Sequence, residues 1–489
     1  MPILLKVSVT IQPPLRVRKC ECWGGAESLQ VRMERKMRIP EQAQKILKTL
    51  NDHGYEAYVV GGCVRDALLG REPEDWDITT SATPAQVKEL FRRTIDTGIL
   101  HGTVTVMMEK TGYEVTTYRI DGDYGDGRHP DKVSFTGNLR EDLLRRDFTI
   151  NAMAYNPDTG LVDEFGGQKD LKDQVIRCVG EPLERLNEDA LRILRAIRFS
   201  AQLGFEVEEK TVEAMKLLAP NLQKISAERI RTELDKTICA PYPSRLALAY
   251  RCGILKEVLP EFHEMMETPQ NHPRHYLTIG EHCLKAVENI HIILDAYGET
   301  DRKRRSCYNW CMLLHDVGKL VSRTTDENGV DHFYGHPKES AAMAVKILRR
   351  LKFDNETVYL VREMVYWHDY RFPKKPSGMR RAMSKIGPDL VPLLFPVELA
   401  DLYAQSGFGR EESIRSLTEA KAVWREVVER GECVTVKDLA VNGRDLIAAG
   451  IPAGKQIGEL LAHLLELVIE KPEMNNKETL LTLFEPPYK

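Results

Sequence analysis

A chain of 489 residues is longer than one hydrophobic core can organise, so several domains are expected. Hydrophobic residues at 42% and charged residues at 29% give the balance of a globular protein, and no apolar run approaches the roughly 18 residues of a membrane helix. With a formal net charge of −4, a nucleic-acid partner would be held by local basic patches and not by overall charge, and no membrane partner is expected.

In chain order, residues 1–36 combine Pro13-Pro14 with clustered Arg and Lys and show no clean period. Lys6 interrupts the apolar stretch and no small-residue cleavage pattern follows, so the segment reads as a disordered extension or an over-extended start, with Met33 or Met37 as the natural beginning. Cys20 and Cys22 lack a second pair to complete a zinc site; the ten cysteines read as reduced thiols in a cytoplasm. Ile39–Asn51 is expected as an amphipathic helix with Ala43, Ile46, Leu47 and Leu50 on one face.

Tyr58-Val59-Val60 reads as a strand ending at Gly61-Gly62, followed by a short helix, Val64 to Leu69, with Arg65 in its first turn. A second strand-like run carries Asp75 and Asp77, whose side chains alternation places on one face with Trp76 on the other. Two carboxylates on one rigid element suit a hard divalent cation such as Mg2+, and glycines at a helix start let backbone N–H groups approach phosphate. Each feature alone is ordinary, a turn or a solvated strand end; together, and in this order, they are specific. Thr83-Pro84 opens a helix to about Phe91, and a hairpin around Lys110-Thr111-Gly112 carries Glu114, either an exposed strand residue or a third carboxylate. Asp121–Asp131, with Gly125-Asp126-Gly127-Arg128, reads as a mobile loop.

Further on, Arg145-Arg146-Asp147 precedes an apolar segment. A helix is expected over Asn187–Phe199, with Ala190, Leu194, Ile197 and Ala201 facing a core and Asp189, Arg192, Arg195 and Arg198 on the other side. A second constellation comprises His282, His315-Asp316, His336, His368 and Asp401, set among apolar helical patterns. Imidazole with carboxylate suits a divalent metal with open positions for water and phosphate.

These motifs resemble the DNA-polymerase-beta-like nucleotidyltransferases, in the branch of bacterial tRNA nucleotidyltransferases (CCA-adding enzymes) and bacterial poly(A) polymerases; the later set resembles the HD-domain metal phosphohydrolases. The resemblance covers residue 37 to the C-terminus and implies an α/β head, a small mixed sheet of nucleotidyltransferase fold, followed by an all-α neck, body and HD domain. The implied division is 37–180 head, 181–270 neck, 271–405 HD domain and 406–489 helical tail. It further implies CCA addition to tRNA from CTP and ATP. Asp75 and Asp77 would be catalytic and hold Mg2+; Gly62, Arg65 and Arg146 would bind triphosphate; Asp147 would buttress Arg146 or a strand. Asp189 with Arg192 would read the base, and Arg195 and Arg198 would face phosphates or the tRNA end. His282, His315, Asp316 and Asp401 would bind the HD metal, with His336 and His368 lining that pocket or holding a second ion. The Gly/Asp-rich loop resembles one that switches such enzymes between nucleotides. The rival readings are an A-adding or poly(A) polymerase, and an HD-type phosphohydrolase whose N-terminal half binds RNA. The intact Asp-x-Asp speaks against the second.

Overall fold

A computed structural model of the chain describes residues 37–121 and 133–483. The N-terminal segment 1–36 and most of the Gly/Asp-rich loop lie outside the described residues. Two compact units meet at the Pro260/Glu261 junction and are taken separately.

The first unit opens with α1 (Glu41–Asp52), where the expected apolar stripe Ala43, Ile46, Leu47 and Leu50 is buried. Each such aliphatic side chain contributes roughly 1.5–3 kcal/mol on burial. Next come β1 (Ala57–Val60), α2 (Gly62–Leu68), β2 (Ile78–Thr80) and α3 (Pro84–Leu90). Thr83 caps α3 through a reciprocal capping box with Gln86, with Pro84 in the first turn as the sequence predicts. The edge strand β3 (Thr94–Gly98) leads to the hairpin of β4 (Thr103–Met108) and β5 (Thr111–Thr117). Short strands β6 (Arg119–Asp121) and β7 (Val133–Phe135) pair with each other, and α4 (Leu139–Leu144) leads to β8 (Ala154–Asn156) and β9 (Gly160–Val162).

The main sheet runs β3-β4-β5-β2-β1-β8-β9, with β2 and β5 parallel and its other pairings antiparallel. This is the small mixed sheet expected of the head. Beyond it lie α5 (Pro182–Glu188), α6 (Leu191–Leu203) and α7 (Ala227–Ile238). The continuous helix expected over Asn187–Phe199 is instead two helices broken at Asp189, whose backbone is extended (φ −137°, ψ 103°). Its carboxylate accepts the Leu191 N–H at 3.0 Å, so a side chain satisfies a helix-start donor and the break is stabilised locally.

The second unit is helical. It contains α8 (Ile279–Ala296), α9 (Arg302–Leu314), the two-residue strands β10 (Thr324–Thr325) and β11 (Asp331–His332), α10 (His336–Arg350), α11 (Asn355–Trp367), α12 (Pro376–Ile386) and α13 (Val391–Ala404). Toward the C-terminus Leu446, Leu464, Val468, Ile469 and Leu480 form a separate core, against which Ile457, Leu460 and Leu461 pack as their helical spacing predicts. Among the described residues no helix is long and apolar enough to cross a membrane, and the eight cysteines are free thiols.

Gly318, just after His315-Asp316, is closely packed against the start of α10. A Cβ there would stand 2.6 Å from the His336 carbonyl and 2.8 Å from Ser340 Oγ, which itself accepts the Gly318 N–H. Its φ of −69° is ordinary, so space and not conformation demands glycine. Gly318→Ala is expected to destabilise the unit by about 1–3 kcal/mol in denaturant unfolding, whereas Gly407→Ala, with nothing near its Cβ, should shift the midpoint little.

Candidate functional sites

The first site lies where β2, β5 and the turn after α4 meet. Asp75 and Asp77 stand just before β2 and not on it, although the Val60 N–H still bonds the Asp77 carbonyl at 3.0 Å and extends the β1–β2 ladder. Ile78 is paired with Val115, which sets Asp77 level with Glu114 on the parallel neighbour. Partial desolvation raises the Asp77 carboxyl, Arg146 opposes the shift, and Glu114 and Asp75 add to it. Three carboxylates therefore share one end of the sheet with one guanidinium set against them. All three are exposed, and their hard oxygen donors fit a divalent cation such as Mg2+.

Gly61 (φ +82°) makes the turn into α2. A Cβ there would meet Arg146 Nη1 at 2.9 Å, so the guanidinium lies over the glycine backbone. Arg146 Nε is buried without a protein partner, as suits a donor that meets an anion. Arg65 is fixed by Asp66 (2.8 Å) and by Asn151 Oδ1 (2.6 Å). Around the ring of Phe199 gather the guanidiniums of Arg65, Arg195 and Arg198, at 5.0, 5.4 and 4.2 Å from its centroid.

Asp142, which the sequence did not single out, is fully buried and holds this corner. It accepts from Thr79 Oγ1 on β2 (3.1 Å), from Arg145 (2.7 Å) and from Arg146 (3.4 Å). Burial works against its charge, yet Arg145 and Arg146 hold its carboxyl below the usual range. Asp147 is tied to α6 and not to Arg146: Arg195 reaches it at 2.6 Å, and Asn151 and the Phe148 N–H donate to its other oxygen.

The polar residues of α6 are not the open face their spacing suggests. Arg192 and Arg198 are buried. Arg192 donates to Glu188 (2.5 Å) and to the carbonyls of Arg185 and Arg145, and Arg198 lies 2.7 Å from Glu233 on α7. Asp189 is held at 2.9 Å by Arg229. Arg229 and Glu233 were missed because no spacing rule links residues on different helices, whereas Glu188, four residues before Arg192, was within reach of the i,i+4 rule.

In the second unit every predicted HD residue converges. His282 Nε2 lies 2.9 Å from Asp401 Oδ1 and 3.2 Å from His315 Nε2, and Asp316 Oδ2 is 3.3 Å from His315. On its other side Asp316 Oδ1 is 3.3 Å from His336 and 3.8 Å from His368, whose Nε2 atoms are 3.3 Å apart. His315, His336 and His368 each direct Nδ1 to a backbone carbonyl, of Met312, Phe333 and Val365, which fixes the tautomer with an Nε2 lone pair turned inward. Facing lone pairs and carboxylates repel unless a cation lies between them, so this donor set fits a metal. Asp316 joins two ligand groups, Cys283 and His315 on one side and His336 and His368 on the other, and its Oδ2 also lies 3.4 Å from His282, which groups with His315 and Asp401. Burial opposes the charge of Asp316, but His315 and Lys319 hold its carboxyl far below the usual range.

Family models match in the same order: a poly A polymerase head domain over residues 57–177, an RNA and SrmB binding site of polymerase A over 204–266, an HD domain over 279–404, and a tRNA nucleotidyltransferase domain 2 over 406–484. A CCA-adding enzyme of Lactobacillus helveticus is 50% identical over 442 residues, 90% of this chain and 95% of that protein. One from Lactiplantibacillus plantarum is 33% identical over 445 residues, again 90% and 95% of the two chains. The solved Bacillus stearothermophilus CCA-adding enzyme in complex with CTP superposes with a TM-score of 0.65 at 29% identity, covering 91% of this chain and 96% of that one.

Asp142→Asn should cost about 3–5 kcal/mol at neutral pH, because it leaves two guanidiniums facing a neutral amide. A carboxyl held low in the fold stabilises above its unfolded pKa of about 3.9, and that contribution is lost as pH falls through the folded value. Urea unfolding at pH 7 and pH 3 should therefore show a smaller acid penalty in the variant than in the parent.

Proposed function

The chain belongs to the CCA-adding enzymes, nucleotidyltransferases that act on tRNA, and on that premise we propose how its own residues complete a 3′ CCA end from CTP and ATP. The carrying observation is the opposition of Asp75, Asp77 and Glu114 to Arg146 at one end of the sheet. Asp75 and Asp77, with Glu114 beside them, would hold Mg2+, which when bound acidifies the tRNA 3′ hydroxyl and steadies charge on the α-phosphate. The carboxylates set the cation position. Arg146, Arg65 and the backbone at Gly62 bind the triphosphate and orient pyrophosphate as the leaving group. Arg195 and Arg198 supply positive charge near the RNA end.

Asp189 and Arg192 select the base. Cytosine and adenine each present an amine donor beside a ring-nitrogen acceptor on the pairing edge, while guanine and uracil present the reverse. A carboxylate only accepts and a guanidinium only donates, so the pair suits C and A and leaves unpaired groups against G or U, at about 1–3 kcal/mol each. Both side chains have protein partners, Arg229 for Asp189 and Glu188 for Arg192, so base recognition exchanges one hydrogen bond for another. Residues 37–180, 181–270, 271–405 and 406–489 would serve as head, neck, HD domain and tail, in a cytoplasmic protein to which the free thiols are suited.

A second activity is favoured by the histidine-carboxylate cluster. His282, His315, Asp316 and Asp401 would hold one divalent ion, and Asp316, His336 and His368 a second. Such a pair activates water against a phosphate ester.

Purified protein given tRNAs ending before, within and after the CCA should, with CTP and ATP together, extend each incomplete end to CCA and stop, and with CTP alone should stop at CC. An A-adding enzyme would extend only tRNA ending in CC, and a poly(A) polymerase would not stop. Asp77→Ala should lower incorporation by roughly a thousandfold with the fold intact by circular dichroism. Asp189→Asn combined with Arg192→Gln should reduce the preference for CTP and ATP over UTP and GTP about tenfold or more; unchanged preference would remove the base-reading role.

A further inference from the structure

After α13 the chain forms α14 (Arg410–Glu429), which turns Leu417, Ala420, Trp424 and Val427 inward. The Trp424 ring packs 5.6 Å from that of Phe395 on α13. Lys421 borders this stripe and is half-buried, where a lysine ordinarily carries its ammonium out to water. Its Nζ lies 2.7 Å from Tyr297 Oη and 4.1 Å from the centroid of the same ring, at the C-terminal end of α8. Tyr297 is itself buried, so the amine is held against a phenol and not against an acid.

No carboxylate among the described residues pairs with Lys421. Asp295 and Glu299, on either side of Tyr297 in sequence, are each held at 2.8 Å by Arg305 and Arg304 of α9. From α13, Tyr403 adds only a second phenol near Tyr297. On α14 the positions one turn from Lys421 are Leu417, Thr418, Trp424 and Arg425, so the one charge there is a like charge. Burial and the Arg425 guanidinium together pull the Lys421 ammonium down to about 8. At pH 7.5 about a quarter of such an amine is neutral, against about one part in a thousand for a lysine of ordinary pKa, about 10.4.

We propose that Lys421 is an acylation site, whose amine accepts an acyl group from a small activated donor, an acyl phosphate or an acyl thioester. A lysine desolvated beside a second cation is the arrangement that makes an amine nucleophilic at neutral pH. The neutral amine donates to Tyr297 Oη, which leaves its lone pair for the acyl carbon. A C–N bond forms as the C–O or C–S bond of the donor breaks. The bonding pair leaves with phosphate or thiolate, and the surplus amine proton passes to water. The product is a neutral amide one turn from Arg425, which removes the like-charge repulsion along α14 where it packs over α12 and α13.

The test is acetylation of the full-length protein with acetyl phosphate and, separately, with acetyl coenzyme A, each lysine being quantified by peptide mass spectrometry at low conversion across a pH series. The exposed Lys346 of α10 is the comparator. At pH 7.5 Lys421 is expected to react about tenfold faster than Lys346 with at least one donor. Its rate should rise through a midpoint below about 9. Arg425→Gln should raise that midpoint and slow the reaction at pH 7.5 severalfold, whereas Arg425→Lys, which keeps the charge, should not. Thermal melting accompanies both variants, and if either unfolds the rate and midpoint of the parent protein decide the matter. Reaction at Lys421 no faster than at Lys346 with both donors, or a midpoint above about 9, overturns the proposal. Reaction with one donor alone identifies the source of the acyl group.

Discussion

One buried carboxylate holds the nucleotidyltransferase corner together. Asp142 joins Thr79 on β2 to two consecutive arginines that would otherwise repel each other at the edge of the sheet. Burying charge is costly unless every group is paired, and here the pairing also fixes direction. Arg146 is turned toward Gly61 and the Asp77 carboxylate, while the Arg145 carbonyl is left to accept from Arg192. Asp147, next along, reaches the other way to Arg195. A single turn thereby connects the carboxylate end of the sheet to α6, the helix proposed to read the base, through alternating charges and not through apolar packing.

The helix α6 carries the same logic further. Arg192 and Arg198 are buried and Arg195 half-buried, yet each is compensated, by Glu188, Glu233 and Asp147 from three different segments. Such networks contribute little net stability relative to apolar packing, but they restrict where each guanidinium points. They also suit a site that must accept two bases of different size. In the proposed base-reading role, a base edge that replaced Glu188 at Arg192, or Arg229 at Asp189, would exchange one charge-assisted hydrogen bond for another, and the fit to C or A would decide the outcome.

What could be read in advance was whatever depends on neighbours in sequence. The α1 stripe, the Thr83-Pro84 cap, the hairpin before β6 and the Gly61-Gly62 turn are all set within a few residues. The HD cluster was recognisable by pattern, an adjacent His315-Asp316 with His282 before it and His336, His368 and Asp401 after. Less accessible was everything set by long-range meeting. Asn151 faces Arg65 across the fold, Glu233 faces Arg198 from another helix, and Asp142 looks in sequence like any acid in the first turn of a helix. The break at Asp189 was missed for a different reason: the apolar period of Ala190, Leu194 and Ile197 continues through it, while an Asp capping its own successor leaves no mark on that period.

The two proposed metal centres differ in a way that follows from their chemistry. Around Asp77 the carboxylates are exposed and like-charged, and they do not close into a compact ligand cluster. In the proposed role, that arrangement would need the phosphates of an incoming nucleotide to complete the ligand set of its cation. Around Asp316 the donors are buried, their tautomers locked by backbone carbonyls, and the central carboxylate presents one oxygen to each side. Such a cage is complete before substrate arrives, and its selectivity must come from outside the first ring of donors. The open site would therefore be specified by its neighbouring helix, and the closed one by residues outside its ring of donors.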